Sequence, residues 1–291
     1  MRWLLWLIWL MWLPGVLASE PNSAPPGAGE PSHCPDCHQQ EQKSFQRSRM
    51  AIAARTPDFL QEWTGKGRVE RCLACHAPSG GKGVNCRDCH GNAGHPYPKL
   101  QTPQVCARCH DAPGELTVRS YRQSPAARRG EQCLDCHLAQ AGDSHDFAGP
   151  QRRGFLQGVA RLRLSLRRDE GGDTVLIGIH HRAGHALPGG TTGRSVWLLL
   201  DTFAQDGRRL ARSVFRFGWY HDLTQGWQDE TLPPGSGKVI EIPLQDTSGV
   251  RVIEARLIYR FRPGPLDAPD PRQVELDRKR FALPVEIGES R

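Results

Sequence analysis

The chain has 291 residues, 38 of them Lys or Arg against 31 Asp or Glu, a formal charge of +7 and ten cysteines. That length suits two modest domains, and the positive balance would ordinarily point to an acidic partner or a membrane surface. Between Cys34 and about Pro150 large aliphatic side chains are too sparse for an ordinary hydrophobic core, which excludes a plain globular domain there.

Residues 1–18 carry one early positive charge, Arg2, then the apolar run Trp3 to Leu13, then Pro14-Gly15 and Val16-Leu17-Ala18. This pattern predicts a signal peptide cleaved after Ala18. The rival, a retained membrane anchor, meets an apolar run shorter than the roughly 20 residues that span a bilayer. No cysteine stands near the break to make a lipoprotein. Residues 19–32, rich in Pro, Gly and Ser, read as a flexible or polyproline-like linker. Two domains are expected beyond it, 33–152 and 153–291, divided where the composition changes at about Phe155.

The first domain is organised around five copies of Cys-x-x-Cys-His: Cys34-Pro-Asp-Cys37-His38, Cys72-Leu-Ala-Cys75-His76, Cys86-Arg-Asp-Cys89-His90, Cys106-Ala-Arg-Cys109-His110 and Cys133-Leu-Asp-Cys136-His137. They use all ten cysteines. Zinc ribbons and disulfide frameworks also use Cys-x-x-Cys pairs, but neither requires a histidine after every pair. Cys-x-x-Cys-His is the attachment sequence of c-type haem: two thiols reach the vinyl groups of one porphyrin and the histidine ligates its iron. The expectation is five covalently bound haem c groups, with the iron held by His38, His76, His90, His110 and His137. Thioether attachment needs an exported compartment, in agreement with the leader and with a periplasmic or cell-surface location. Haem supplies the missing apolar volume. Its propionates, roughly two per haem, cancel most of the positive charge and remove the support for a nucleic-acid partner.

Between and beyond the motifs, Phe45-Gln-Arg-Ser48-Arg-Met50 is echoed by Tyr121-Arg-Gln-Ser124-Pro-Ala126, both aromatic-x-x-Ser-x-X. Residues 72–95 follow Cys-x-x-Cys-His with Gly83-Val84-Asn85-Cys86 to Gly91 and a nearby His95, and Ser144-His145-Asp146-Phe147-Ala148-Gly149 follows the fifth motif. These stretches resemble the multihaem cytochrome c superfamily, which includes the tetrahaem cytochrome that accepts electrons from hydroxylamine oxidoreductase. There aromatic-x-x-Ser-x-His, the histidine after the paired motifs and Ser-His-x-Phe-x-Gly supply distal iron ligands. The resemblance implies that role for His95 and His145, and for Met50, which stands where the family has histidine. The rival for Met50 is a flexible apolar filler. Ala126 offers no lone pair, so one haem needs another ligand or keeps an open position. His33 cannot readily reach over its own haem.

In the second domain Val159–Leu166, Thr174–Ile179, Ser195–Phe203, Arg208–Phe217, Lys238–Ile242 and Val252–Phe261 read as strands, with an Asp206-Gly207 hairpin signal and a turn at Pro233–Gly237. An antiparallel β-sandwich is expected, giving a mixed fold: a mostly helical or irregular haem-rich domain, then strands. Arg161, Arg163 and Arg167 fall on a solvated strand face. The loop Ala183-Gly184-His185-Ala186-Leu187-Pro188-Gly189-Gly190 resembles Gly-His-x-Leu-Pro-Thr-Gly of multihaem cytochromes that carry a β-domain, whose histidine reaches back to a haem. That implies ligation by His185, with Gly189 replacing the usual Thr. Of His180 and His181 alternation turns only one inward, and His221 stands beside Tyr220.

The leading expectation is an electron carrier between a redox donor and an acceptor, either of which can be membrane-associated, with the oligomeric state open. The rivals are an oxidoreductase acting on a small nitrogen or sulfur oxyspecies at an open haem, and a structural or interaction module of a cytochrome assembly. No Ser/His/Asp set, phosphate-binding loop or paired carboxylates suggests other chemistry.

Overall fold

The computed structural model describes residues 34–91, 100, 102–112, 114–138, 145–170, 172–190, 193–235, 237–244, 247, 249–262 and 264–283. The expected leader and linker, His33, His95 and Ser144 lie outside them. Among the described residues nine short helices come first: α1 (Cys34–Cys37), α2 (Gln39–Phe45), α3 (Pro57–Gly65), α4 (Leu73–His76), α5 (Cys86–His90), α6 (Gln104–His110), α7 (Thr117–Arg122), α8 (Pro125–Arg128) and α9 (Cys133–His137). Tighter helical turns span Met50–Arg55 and Glu70–Cys72. Among the described residues no helix is long and apolar enough to cross a membrane.

The helical part has little apolar interior of its own. Among the described residues, one cluster gathers Ala54, Phe59 and Ala77, with Trp63, Cys72 and Leu73 against them. Phe59 is fixed there because Thr56 accepts its backbone N–H at 3.3 Å and Pro57 opens α3 without wasting a donor. Elsewhere in this part small or amphipathic side chains such as Ala126, Ala148 and Tyr121 are buried singly.

The strands follow: β1 (Ala160–Asp169), β2 (Gly172–His181), β3 (Ser195–Phe203), β4 (Arg209–Phe217), β5 (Trp219–Asp222), β6 (Gly226–Asp229), β7 (Lys238–Pro243), β8 (Val252–Arg260) and β9 (Val274–Ala282). They form antiparallel sheets in the orders β1-β2-β7 and β4-β3-β8-β9, with β5-β6 as a separate pair. The two larger sheets share one core, including Leu162, Ile177, Ile179, Val196, Leu198, Leu257 and Tyr259. Every residue of β3 but the last is buried, because Leu198 faces that core while Trp197 and Leu199 pack with Ile258 and Leu266 on the other face. All six expected strands form. On β1 Arg161, Arg163 and Arg167 point outward, and on β2 His181 is buried while His180 is exposed. Between β3 and β4 Gly207 takes a φ of 82°, a left-handed position in the Asp206-Gly207 turn.

Strands β5, β6 and β9 were not expected. The last, Val-Glu-Leu-Asp-Arg-Lys-Arg-Phe-Ala, is an edge strand whose charges guard it against further pairing, and that composition hides its strand character.

A buried ion cluster pins β3 to both neighbours. Asp201, 1% exposed, accepts from Arg212 Nε at 2.6 Å and Nη2 at 2.8 Å and from Arg256 Nη2 at 3.4 Å, with Arg209 at 3.9 Å. Desolvation raises the Asp201 carboxyl, but Arg212, Arg256 and Arg209 outweigh it and hold the group below its ordinary range. Asp201→Ala leaves these guanidinium groups without their shared anion and should cost roughly 3–5 kcal/mol, measured by denaturant unfolding; a loss under about 1 kcal/mol would mean the cluster behaves as a surface pair.

Candidate cofactor site

Each Cys-x-x-Cys-His lies on a helical turn. Residues at i, i+3 and i+4 of a helix share one face, so the spacing turns two thiols and an imidazole the same way. Local chemistry explains why such short segments hold. Asn85 caps α5, its side chain accepting from Arg87 N and Asp88 N, while Asp88 accepts the Asn85 N–H at 2.7 Å. Gln132 and Asp135 reproduce the box at α9, with Gln132 N on Asp135 Oδ2 at 2.7 Å. The legible signal was the Asp placed just before the second cysteine, a residue type that closes capping boxes at the third helical position.

The histidines are oriented as well as placed. His76 Nδ1 meets Ala53 O at 3.3 Å and His137 Nδ1 meets Ala148 O at 2.6 Å. His110 Nδ1 stands 3.5 Å from Glu115, and His38 Nδ1 stands 3.9 Å from Glu41. A histidine whose Nδ1–H is engaged by an acceptor presents Nε2 to a metal. Flat rings pack on two of them, Phe59 on His76 at 4.2 Å and Phe155 on His137 at 5.5 Å. Burial pushes the imidazoles of His76, His90 and His137 down, towards the neutral form that can ligate.

Space does not follow sequence order. Cys86 of the third motif meets Cys34 of the first. In the fourth motif, Cys106 meets Cys133 of the fifth, Cys109 meets Cys75 of the second, and both lie close to Cys89 of the third. Arg108 Nη1 also donates to Asp88 O at 3.3 Å, and Thr102 Oγ1 to Gln132 Oε1 at 2.9 Å. The fourth motif is therefore the junction of the set.

The echo between the two stretches is structural as well, and it extends further along the chain. Ser48 and Ser124 are both buried, and each accepts the N–H three residues on, Ala51 N at 3.2 Å and Ala127 N at 3.0 Å. Met50 and Ala126 thus occupy equivalent positions, Met50 half-buried and Ala126 buried. Four residues before each capping serine stands another serine that holds a loop carrying a candidate ligand. Ser44 Oγ accepts the His145 N–H at 2.9 Å, and Ser120 Oγ accepts the Ala186 N–H, beside His185, at 3.1 Å. The repeated Ser-aromatic-x-x-Ser spacing was the signal for Ser44 and Ser120.

Around Met50 the backbone is pinned to the approach of the third motif: Val84 N–H donates to Met50 O at 2.9 Å, and a Cβ on Gly83 would collide with Met50 O. Ala126 is covered by the second loop, since a Cβ on Gly184 would touch Ala126 Cβ at 3.4 Å. In that loop His185 Nδ1 engages Ala186 O at 2.8 Å, and burial lowers the imidazole to about 4. The Gly189 replacement has a steric reason: a Cβ there would stand 2.6 Å from His185 Cε1 and 2.8 Å from its Nδ1. His185 also lies near His137 and Glu115. His145 sits among other candidates, its ring 6.4 Å from His90 and edge-on to Phe147 at 6.0 Å, and its buried Nδ1 has no partner among the described residues. His181 has its Nε2 on Pro233 O at 2.8 Å and its Nδ1 buried without a partner, whereas His221 stacks edge-on against Trp227.

This donor set fits covalent haem. All ten cysteines are free of disulfides, and among the described residues no three His, Cys, Asp or Glu side chains gather as a small-ion site. The motif histidines whose Nδ1 is engaged keep Nε2 for a metal, and His145 leaves a buried nitrogen unmatched, a pattern that an ion can satisfy.

No family model and no curated protein matches this sequence. The fold matches a solved structure, the penta-heme cytochrome c552 from Thermochromatium tepidum, with a TM-score of 0.63 and 17% identity over 86% of this chain and 97% of that one. The likeness is one of fold.

Ser44→Ala and Ser120→Ala each remove the acceptor that holds a histidine loop and should each cost about 1 kcal/mol in denaturant unfolding. Gly189→Thr should cost about 1–3 kcal/mol by overpacking against His185, whereas Gly65→Ala, with nothing near its side-chain direction, should not destabilise.

Proposed function

We propose that this chain is an exported pentahaem c-type cytochrome that carries electrons between a redox donor and an acceptor in the periplasm or at the cell surface. The observation that carries the proposal is the repeated helical turn with two free thiols and a histidine on one face. The engaged Nδ1 atoms, the poor apolar interior of the helical part and the fold likeness to a penta-heme cytochrome support it. Residues 33–152 form the haem domain and 153–291 a β-sandwich that clamps it. When bound, each haem supplies an iron that takes up and returns one electron.

The chain's own residues do the rest. The ten cysteines fix five groups at short separations, with the fourth motif as the branching point. His38, His76, His90, His110 and His137 would hold the iron through Nε2. Met50, His95, His145 and His185 would be four of the five distal ligands, and His33, His180 or His181 would supply the fifth. A thioether at Met50 favours the reduced state relative to imidazole and gives one site a higher potential. Ala53, Ala148 and Glu115 hold imidazole protons at Nδ1, and Ser44 and Ser120 set the reach of two loops.

Carriage is favoured over catalysis because Ala126 is buried with Gly184, next to His185, packed close to it. The donor and acceptor are redox proteins, and nucleic acid plays no part.

Electron paramagnetic resonance of the oxidised protein, combined with carbon monoxide exposure of the reduced protein, tests this proposal. Only low-spin signals and no carbon monoxide adduct are expected. A high-spin signal with a stoichiometric adduct would instead make the protein an oxidoreductase with an open site.

A further inference from the structure

Among the motif histidines oriented through Nδ1, one has a partner unlike the others. His76 and His137 face neutral backbone carbonyls. His38 faces Glu41, whose side chain is 46% exposed at 3.9 Å, so water screens the charge. His110 faces Glu115 at 3.5 Å, and that side chain is only 15% exposed. The carboxylate is held in place from another side, since Thr117 Oγ1 donates to Glu115 Oε1 at 2.5 Å. Thr117 Oγ1 in turn accepts the Gly190 N–H at 3.1 Å, which ties the arrangement to the loop that carries His185.

We infer that Glu115 is a positioning residue that sets the reduction potential at the fourth motif, its partly buried charge lowering the potential at His110 relative to a site whose histidine faces a carbonyl. This rests on the haem proposal above. A carboxylate on the Nδ1–H raises the basicity of the imidazole. A more basic ligand stabilises ferric over ferrous iron, so uptake of one electron becomes less favourable. Partial burial keeps the effect from being screened away. Because the fourth motif touches the second, third and fifth, the consequence is directional: the junction holds an electron less readily than the second and fifth motifs, whose histidines face carbonyls. The tie from Thr117 to Gly190 means that the β-strand part helps hold the charge in position.

The test is a potentiometric titration of the purified holoprotein, followed optically and by electron paramagnetic resonance, for wild type and for Glu115→Gln, Glu115→Asp and Glu41→Gln. Glu115→Gln should move one reduction step, the same one throughout the series, to higher potential and shift the g values of one low-spin signal. Glu115→Asp, which keeps the charge but stands back by one methylene, should fall between wild type and Glu115→Gln, and it carries the test alone if Glu115→Gln does not accumulate. Glu41→Gln should leave all steps in place. With five haems retained, an unmoved or downward-moved step in the Glu115 variants would overturn the inference while leaving the haem proposal standing. A protein without covalent haem would overturn both, and the haem content of the wild type tells the two failures apart.

Discussion

Everything in the helical half depends on the geometry of one helical turn. Two cysteines three residues apart and a histidine one residue later can share a face only if the segment is helical, yet segments of four or five residues do not form stable helices alone. The chain supplies the missing stability locally, through Asn85 and Asp88 at one motif and Gln132 and Asp135 at another. Packing of Phe59 on His76 and Phe155 on His137 adds to it. A covalently held planar group would supply the rest, since the apolar cluster of this half is confined to a few side chains around Phe59.

The strand half solves a different problem. It has a conventional core between two antiparallel sheets, so it folds by burial of Leu, Ile and Val. Its contribution to the site comes through polar contacts along the seam. Ala186 N and Gly190 N donate to Ser120 and Thr117. Asp58 on α3 receives Arg272 Nη2 at 2.9 Å, with Arg262 at 3.6 Å from the same side and Arg49, beside Met50, at 3.6 Å. The segments that carry Met50 and His185 are thus both tied to this seam, one through ion pairs and one through backbone donors.

Much of this was legible in the sequence because each motif states its own geometry. The five Cys-x-x-Cys-His motifs, the strands β1, β2, β3, β4, β7 and β8, and the inward turn of only one of His180 and His181 follow from spacing or alternation. What escaped was set by distant partners. The meeting of Cys106 with Cys133 and of Cys109 with Cys75 depends on how loops return, which motif order does not encode. Ser44 and Ser120 lay in plain view in a repeated pattern, but their role appears only when His145 and Ala186 arrive from far along the chain. Strand β9 was masked by its charges, and β5 and β6 by their shortness. Gly189 read as a departure from a familiar loop; its reason is the His185 ring beside it.

The central claim is that five helical turns hold five covalent haems. Intact-mass spectrometry of the purified protein under denaturing, reducing conditions tests it most directly. The account predicts the chain plus five haem masses, with one haem lost when Cys106 and Cys109 are both changed to serine. The bare chain mass under those conditions would contradict it.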